Sequence, residues 1–78
     1  MFEKGNKLSQ QVKALRRQYQ LTQEDLAFKS GVGLRFVREL EQGKATLRMD
    51  KVNQVLSLFD LELGVIGIAK HGIDETIG

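Results

Sequence analysis

The sequence predicts a mainly α fold, with four to five short helices within residues 1–60 followed by one strand over 61–68 that pairs across a homodimer. Three observations carry this reading. Apolar residues recur at helical spacing in separate short segments, glycines stand where those segments stop, and a β-branched, glycine-interrupted apolar run follows the last of them. The chain has 78 residues and no cysteine, so it holds one domain at most, and its core is small enough that a second copy is expected to complete it. Residues 69–78 read as a flexible tail.

The first helix lies over residues 8–19, where Leu8, Val12, Leu15 and Tyr19 form one apolar face and Gln10, Lys13, Arg17 and Gln18 form the others. Arg16 sits on the inner edge of that face, beside Val12 and Leu15, and requires an acid from elsewhere in the chain. The second helix opens at Thr22-Gln23-Glu24-Asp25, a hydroxyl cap followed by carboxylates near the positive end of the helix dipole. It closes by about Ser30, because Gly31 supplies the left-handed residue that ends a helix. The third runs from Gly33 to Gln42, with Val37 and Leu40 one apolar step apart, and stops at Gly43. Two short helices joined by a glycine-containing turn make a helix-turn-helix.

A fourth helix is expected from Met49 to Phe59, with Met49, Val52, Val55, Leu56 and Phe59 on its apolar face and Asp50 in its first turn. The strand follows, with Leu61, Leu63, Val65, Ile66 and Ile68 as its dimerisation residues. A lone strand needs a ladder partner, and the same segment of a second copy is the nearest one.

Composition narrows the function. There is no thiol, and the single imidazole, His71, stands beside Gly72 without a nucleophile or second histidine, so neither an enzyme nor a metal or other cofactor is expected. The apolar stretch over 61–69 contains Glu62 and is far shorter than the roughly 20 residues of a membrane span. No leader-like pattern is seen at the N-terminus, and a soluble, cytoplasmic protein with no membrane partner is expected. Net charge is only +2, but residues 1–48 hold ten Lys and Arg against five Asp and Glu, whereas 49–78 hold two against five. The basic surface therefore belongs to the helical part, and a nucleic-acid partner would bind there.

Gln23-Glu24-Asp25-Leu26-Ala27, Gly31-Val32, Val37, Leu40 and Glu41-Gln42-Gly43-Lys44 resemble the helix-turn-helix of Cro and phage-repressor type regulators over about residues 8–60. That family places a Gln at the start of the first motif helix, then a small residue, a turn glycine and two buried aliphatics. Gln23, Ala27, Gly31, Val37 and Leu40 fill all five positions. The resemblance implies the lambda-repressor-like helix-turn-helix domain. Within it, the run over 31–44 followed by Thr46-Leu47-Arg48 is similar to the Hip-type antitoxins that accompany a HipA-like kinase toxin. That resemblance implies a dimer paired through a strand after the last helix, repression of its own operon and sequestration of the toxin.

A helix-turn-helix reads base edges from the start of its recognition helix and fixes register through phosphates. Gly33, Leu34, Arg35, Arg38 and Glu39 are the expected base-reading residues. Arg35 or Arg38 can reach guanine O6 and N7 in bidentate fashion, the bland alternative being two solvated arginines. Leu34 either touches a thymine methyl or packs on the core. Relatives often carry Ser, Thr or Gln where this chain has Gly33 and Leu34, a departure that bears on the target sequence rather than on DNA binding. Arg17, Gln23, Lys44 and Arg48 are the expected phosphate contacts, Lys44 first because it directly follows the recognition helix. The resemblance also brings the end of the first helix against the end of the recognition helix, which makes Arg16 and Glu41 the expected ion pair.

The expected partners are thus double-stranded DNA bearing a palindromic operator, a second copy of the chain and a HipA-like toxin, in a bacterial cytoplasm and associated with the nucleoid. Two other readings remain open: a protein-interaction module that uses the helical domain only for docking, and a phage-type regulator without a toxin partner.

Overall fold

The computed structural model describes residues 7–65 and shows four helices in them: α1 (Lys7–Gln18), α2 (Gln23–Ser30), α3 (Leu34–Gln42) and α4 (Met49–Ser57). Helix α3 lies against both α1 and α2, and α4 packs on α2. Val12, Leu26, Ala27, Val32, Val37, Leu40, Val52, Val55 and Leu56 form the buried core, so each helix contributes to it.

Local chemistry sets the boundaries. At the start of α2 the Asp25 N–H donates to the Thr22 hydroxyl at 3.0 Å while the Thr22 N–H donates to the Asp25 carboxylate at 2.9 Å, a reciprocal cap that satisfies two donors the helix cannot. Its C-terminus turns on Gly31, whose φ of 83° is the left-handed conformation and whose N–H reaches the Ala27 carbonyl. The short loop that follows ends at Gly33, the N-cap of α3, which has no side chain to cap with. Gly43, with φ of 87°, closes α3, and the Lys44 N–H bonds back to the Glu39 carbonyl.

Helices α1 and α4 close by the same hydrogen-bond pattern without glycine. Gln20 and Asp60 take φ values of 59° and 61°, and the N–H groups of Leu21 and Leu61 reach the carbonyls of Arg16 and Leu56. Neither stop carries the glycine that marks the other two in the sequence.

Several positions differ from the periodic reading. Tyr19, expected on the inner face of the first helix, lies just beyond α1 and is 57% exposed, although its ring packs on Phe59 with centroids 5.2 Å apart. Ser9, a polar residue outside the apolar periodicity, is buried instead. Met49 begins α4 and is exposed, whereas Val52 in the same turn is buried. The helix stops at Ser57, and Phe59 packs against the core from the turn that follows.

The expected strand over 61–68 is not seen in its described part. Residues 61–65 are irregular, and no strand occurs among the described residues. Leu63 turns inward, its N–H donating to Asn53 Oδ1 at 2.7 Å, and its side chain packs against the core. A ladder needs a second strand, and the described residues hold none. Ile66, Ile68 and the expected tail over 69–78 lie outside the described residues. No described helix is long and apolar enough to cross a membrane.

Candidate nucleic-acid interface

Helix α3 is anchored from beneath by a charged bond. Glu41, on its inner face, is 3% exposed, and Arg16 from the last turn of α1 reaches it through two contacts, Nε to Oε2 at 2.6 Å and Nη2 to Oε1 at 3.0 Å. The remaining donor, Nη1, bonds the Leu21 carbonyl at 2.9 Å. Donation to Glu41 raises the Arg16 pKa above its ordinary value, with burial opposing. The structure thus brings together the two residues named for an ion pair, and it adds Gln23, whose Nε2 donates to Glu41 Oε1 at 3.1 Å. A buried carboxylate held by three donors fixes α1, the start of α2 and α3 as one unit.

With Val37, Leu40 and Glu41 buried, the opposite side of α3 faces outward. Arg35 and Arg38 occupy it, three residues apart and both exposed, with the Arg35 side chain 91% accessible. Both side chains stand on the side of the helix that a groove would meet. Glu39 lies between the two faces, its carboxylate 3.4 Å from Arg35 Nε and 3.5 Å from Lys44 Nζ. Gly33 presents bare backbone at the start of the helix, with open space where a side chain would project. Leu34 is half-buried and packs on the core, which favours the packing reading of that residue. Phe36 is likewise half-buried, with the Lys51 ammonium 6.0 Å from its ring centre.

The four residues expected at phosphates fall into different situations. Arg17 is exposed near the end of α1, beside Lys13 and Gln10 around a shallow polar depression. Lys44 is half-exposed and paired with Glu39. Gln23 turns its side-chain amide inward to Glu41, leaving its backbone N–H at the helix start as the group that can meet a phosphate. Arg48 holds the N-cap position of α4 without a side-chain cap, its guanidinium engaged with Asp50 through contacts of 3.1 and 2.7 Å. That pair holds the Asp50 carboxyl below the usual carboxylate range.

Three contributions had no direct mark in the sequence: Gln23 as a third donor to Glu41, Glu39 as a shared partner of two cations, and Gln54, whose side chain bonds the Ser30 carbonyl at 2.9 Å across the turn of the motif. The i,i+4 spacing of Arg35 and Glu39 was the one legible signal among them. Among the described residues no group of three His, Cys, Asp or Glu side chains could hold a metal ion.

Two comparisons agree with this geometry. The helix-turn-helix family model matches residues 12–66. The HTH-type transcriptional regulator y4mF of Sinorhizobium fredii (strain NBRC 101917 / NGR234), itself uncharacterized, is 40% identical over 55 residues, covering 70% of this chain and 72% of that protein. The chain belongs to the helix-turn-helix family of DNA-binding regulators, of the Cro and phage-repressor type.

Proposed function

We propose that this protein is a sequence-specific transcriptional repressor acting as a homodimer on a palindromic operator, and that it serves as the antitoxin of a HipA-like toxin-antitoxin operon. It acts by binding rather than catalysis, in a bacterial cytoplasm and at the nucleoid. Its two recognition helices enter successive major grooves about 34 Å apart. The observation that carries the DNA-binding reading is the outward face of α3, where Arg35 and Arg38 project from a helix whose other side is locked to the core by Glu41. The homodimer is favoured by Leu61 and Val65, apolar residues left exposed within the expected pairing segment. The antitoxin role rests on the run over residues 31–48, similar to the Hip-type antitoxins.

Fluorescence anisotropy on DNA from upstream of the protein's own gene, against scrambled DNA at about 50 and 200 mM salt, tests the repressor reading. Tight, sequence-preferring binding that weakens steeply with salt supports autoregulation. Equal, weak binding to both DNAs points instead to a docking module. Co-purification with the product of an adjacent kinase-like gene, and rescue of growth when both are expressed, tests the antitoxin role. A chain that binds its upstream DNA but neither captures that product nor relieves its toxicity is a regulator without a toxin partner.

A further inference from the structure

We infer that Glu39 is a specificity-determining residue that acts by holding back two DNA-facing cations from indiscriminate phosphate binding. The inference rests on the DNA-binding reading above and assigns Glu39 a role beyond reading a base edge.

Glu39 stands on α3 with its side chain about one quarter exposed, and its carboxylate lies within ion-pair distance of both Arg35 Nε (3.4 Å) and Lys44 Nζ (3.5 Å). These cations come from opposite ends of the recognition element, the first turn of α3 and the loop beyond its last turn. In the free protein one carboxylate therefore occupies the place a phosphate would take, against two of the cations best placed to meet DNA. Glu41 and Asp50 are already committed, to Arg16 and to Arg48. Arg38, by contrast, has no ion-pair partner among the described residues.

DNA of any sequence offers phosphates, and a basic surface gains affinity by neutralising them whether or not the bases match. On a mismatched sequence, Arg35 and Lys44 must leave Glu39 to do so, and the carboxylate is then left facing a polyanion without compensation. On the operator, base edges supply what phosphates cannot: a guanine for the Arg35 guanidinium and a cytosine amino group for the carboxylate. Glu39 thus subtracts more from mismatched binding than from operator binding, which is how a repulsive element creates discrimination.

The test compares wild type, Glu39→Gln and Asp60→Asn by anisotropy on upstream DNA and on a scrambled duplex across a salt series. Asp60 is exposed in the turn after α4, so its substitution makes the same one-unit charge change away from the recognition helix. Glu39→Gln is expected to tighten scrambled-DNA binding about 3- to 10-fold, to steepen its salt slope by about 1, and to lower the upstream-to-scrambled ratio. Asp60→Asn should leave that ratio at the wild-type value. Lys44→Gln should weaken scrambled-DNA binding more in the Glu39→Gln background than in wild type, because the ammonium is no longer held. An unchanged ratio in Glu39→Gln, the same change in Asp60→Asn, or an identical effect of Lys44→Gln in both backgrounds overturns the assignment. A wild-type protein that binds neither DNA overturns the DNA-binding reading itself and the role of Glu39 with it.

Discussion

Arg16 and Glu41, 25 residues apart in the chain, meet in a two-point ion pair that joins the last turn of α1 to the last turn of the recognition helix. Their side chains are 14% and 2% exposed, so water cannot replace either partner. Arg16→Ala is therefore expected to destabilise the fold by about 3–5 kcal/mol, because it leaves a buried carboxylate without its cation. Arg16→Lys keeps the charge but loses the planar fork and should fall between the two. Urea denaturation measures both. An Arg16→Ala variant with the wild-type midpoint and slope would mean that the pair does not hold the fold.

The two glycines of the motif turn should respond in opposite directions. Gly31 has φ of 83°, and a Cβ there would come within 3.0 Å of the Gln54 amide nitrogen, so Gly31→Ala is expected to cost about 1 kcal/mol or more. Gly33 is an N-cap in extended backbone with open space around it, so Gly33→Ser should gain a few tenths of a kcal/mol by supplying the missing cap. Thermal melts of the two variants check this pairwise, and a Gly33→Ser melting temperature below that of wild type contradicts the cap assignment.

Much of the architecture was legible because its marks are local. Thr22 with Asp25, Gly31 and Gly43 announce the limits of α2 and α3, and the spacing of Val37 and Leu40 gives the buried side. The stops at Gln20 and Asp60 were not legible, since left-handed residues other than glycine leave no clear signature and depend on the tertiary fold to hold them. The same holds for Ser9 and Tyr19, where period alone assigns a face but the shape of the neighbouring elements decides which residue is covered. The pairing of Arg16 with Glu41 was reached through a family resemblance, because nothing local connects residues so distant in sequence. The spacing of Arg35 and Glu39 was legible along the helix, while the hold of Glu39 on Lys44 depends on how the chain turns after Gly43.

Acid should weaken the first turns of α2 and α4. Hydrogen bonds from Thr22, backbone first and hydroxyl second, lower the Asp25 pKa, and the Arg48 guanidinium does the same for Asp50. A carboxyl whose pKa is lower folded than unfolded contributes stability above its unfolded value, about 3.9, and loses it as pH falls through the folded value. The melting temperature should therefore drop below about pH 4 from these two groups, and Asp25→Asn should flatten part of that decline while lowering stability at neutral pH. An acid limb unaltered in Asp25→Asn would separate the cap from the pH dependence.

The C-terminal segment should govern assembly. Deleting residues 61–78 removes the packing of Leu63 along with the expected pairing strand, so the truncated chain should be a monomer or fail to fold. Val65→Glu is the cleaner variant, because Val65 is fully exposed within one chain and its substitution disturbs no core contact. Analytical ultracentrifugation should find a wild-type dimer and a Val65→Glu monomer with the wild-type helical signal. The affinity for two half-sites should fall with it, since each recognition helix then binds alone. A Val65→Glu protein that sediments as the wild-type dimer contradicts assembly through this segment.

The proposed reading of sequence by the outward face of α3 is tested most directly by comparing Arg38→Ala with Arg17→Ala on upstream and scrambled DNA at matched salt. Arg38→Ala should lose about 1–3 kcal/mol on the upstream site and much less on scrambled DNA, collapsing the preference, whereas Arg17→Ala should weaken both alike and reduce the salt slope by about 1. An Arg38→Ala protein that keeps the wild-type ratio between the two DNAs, together with an Arg35→Ala protein that does the same, would place sequence reading somewhere other than this helix.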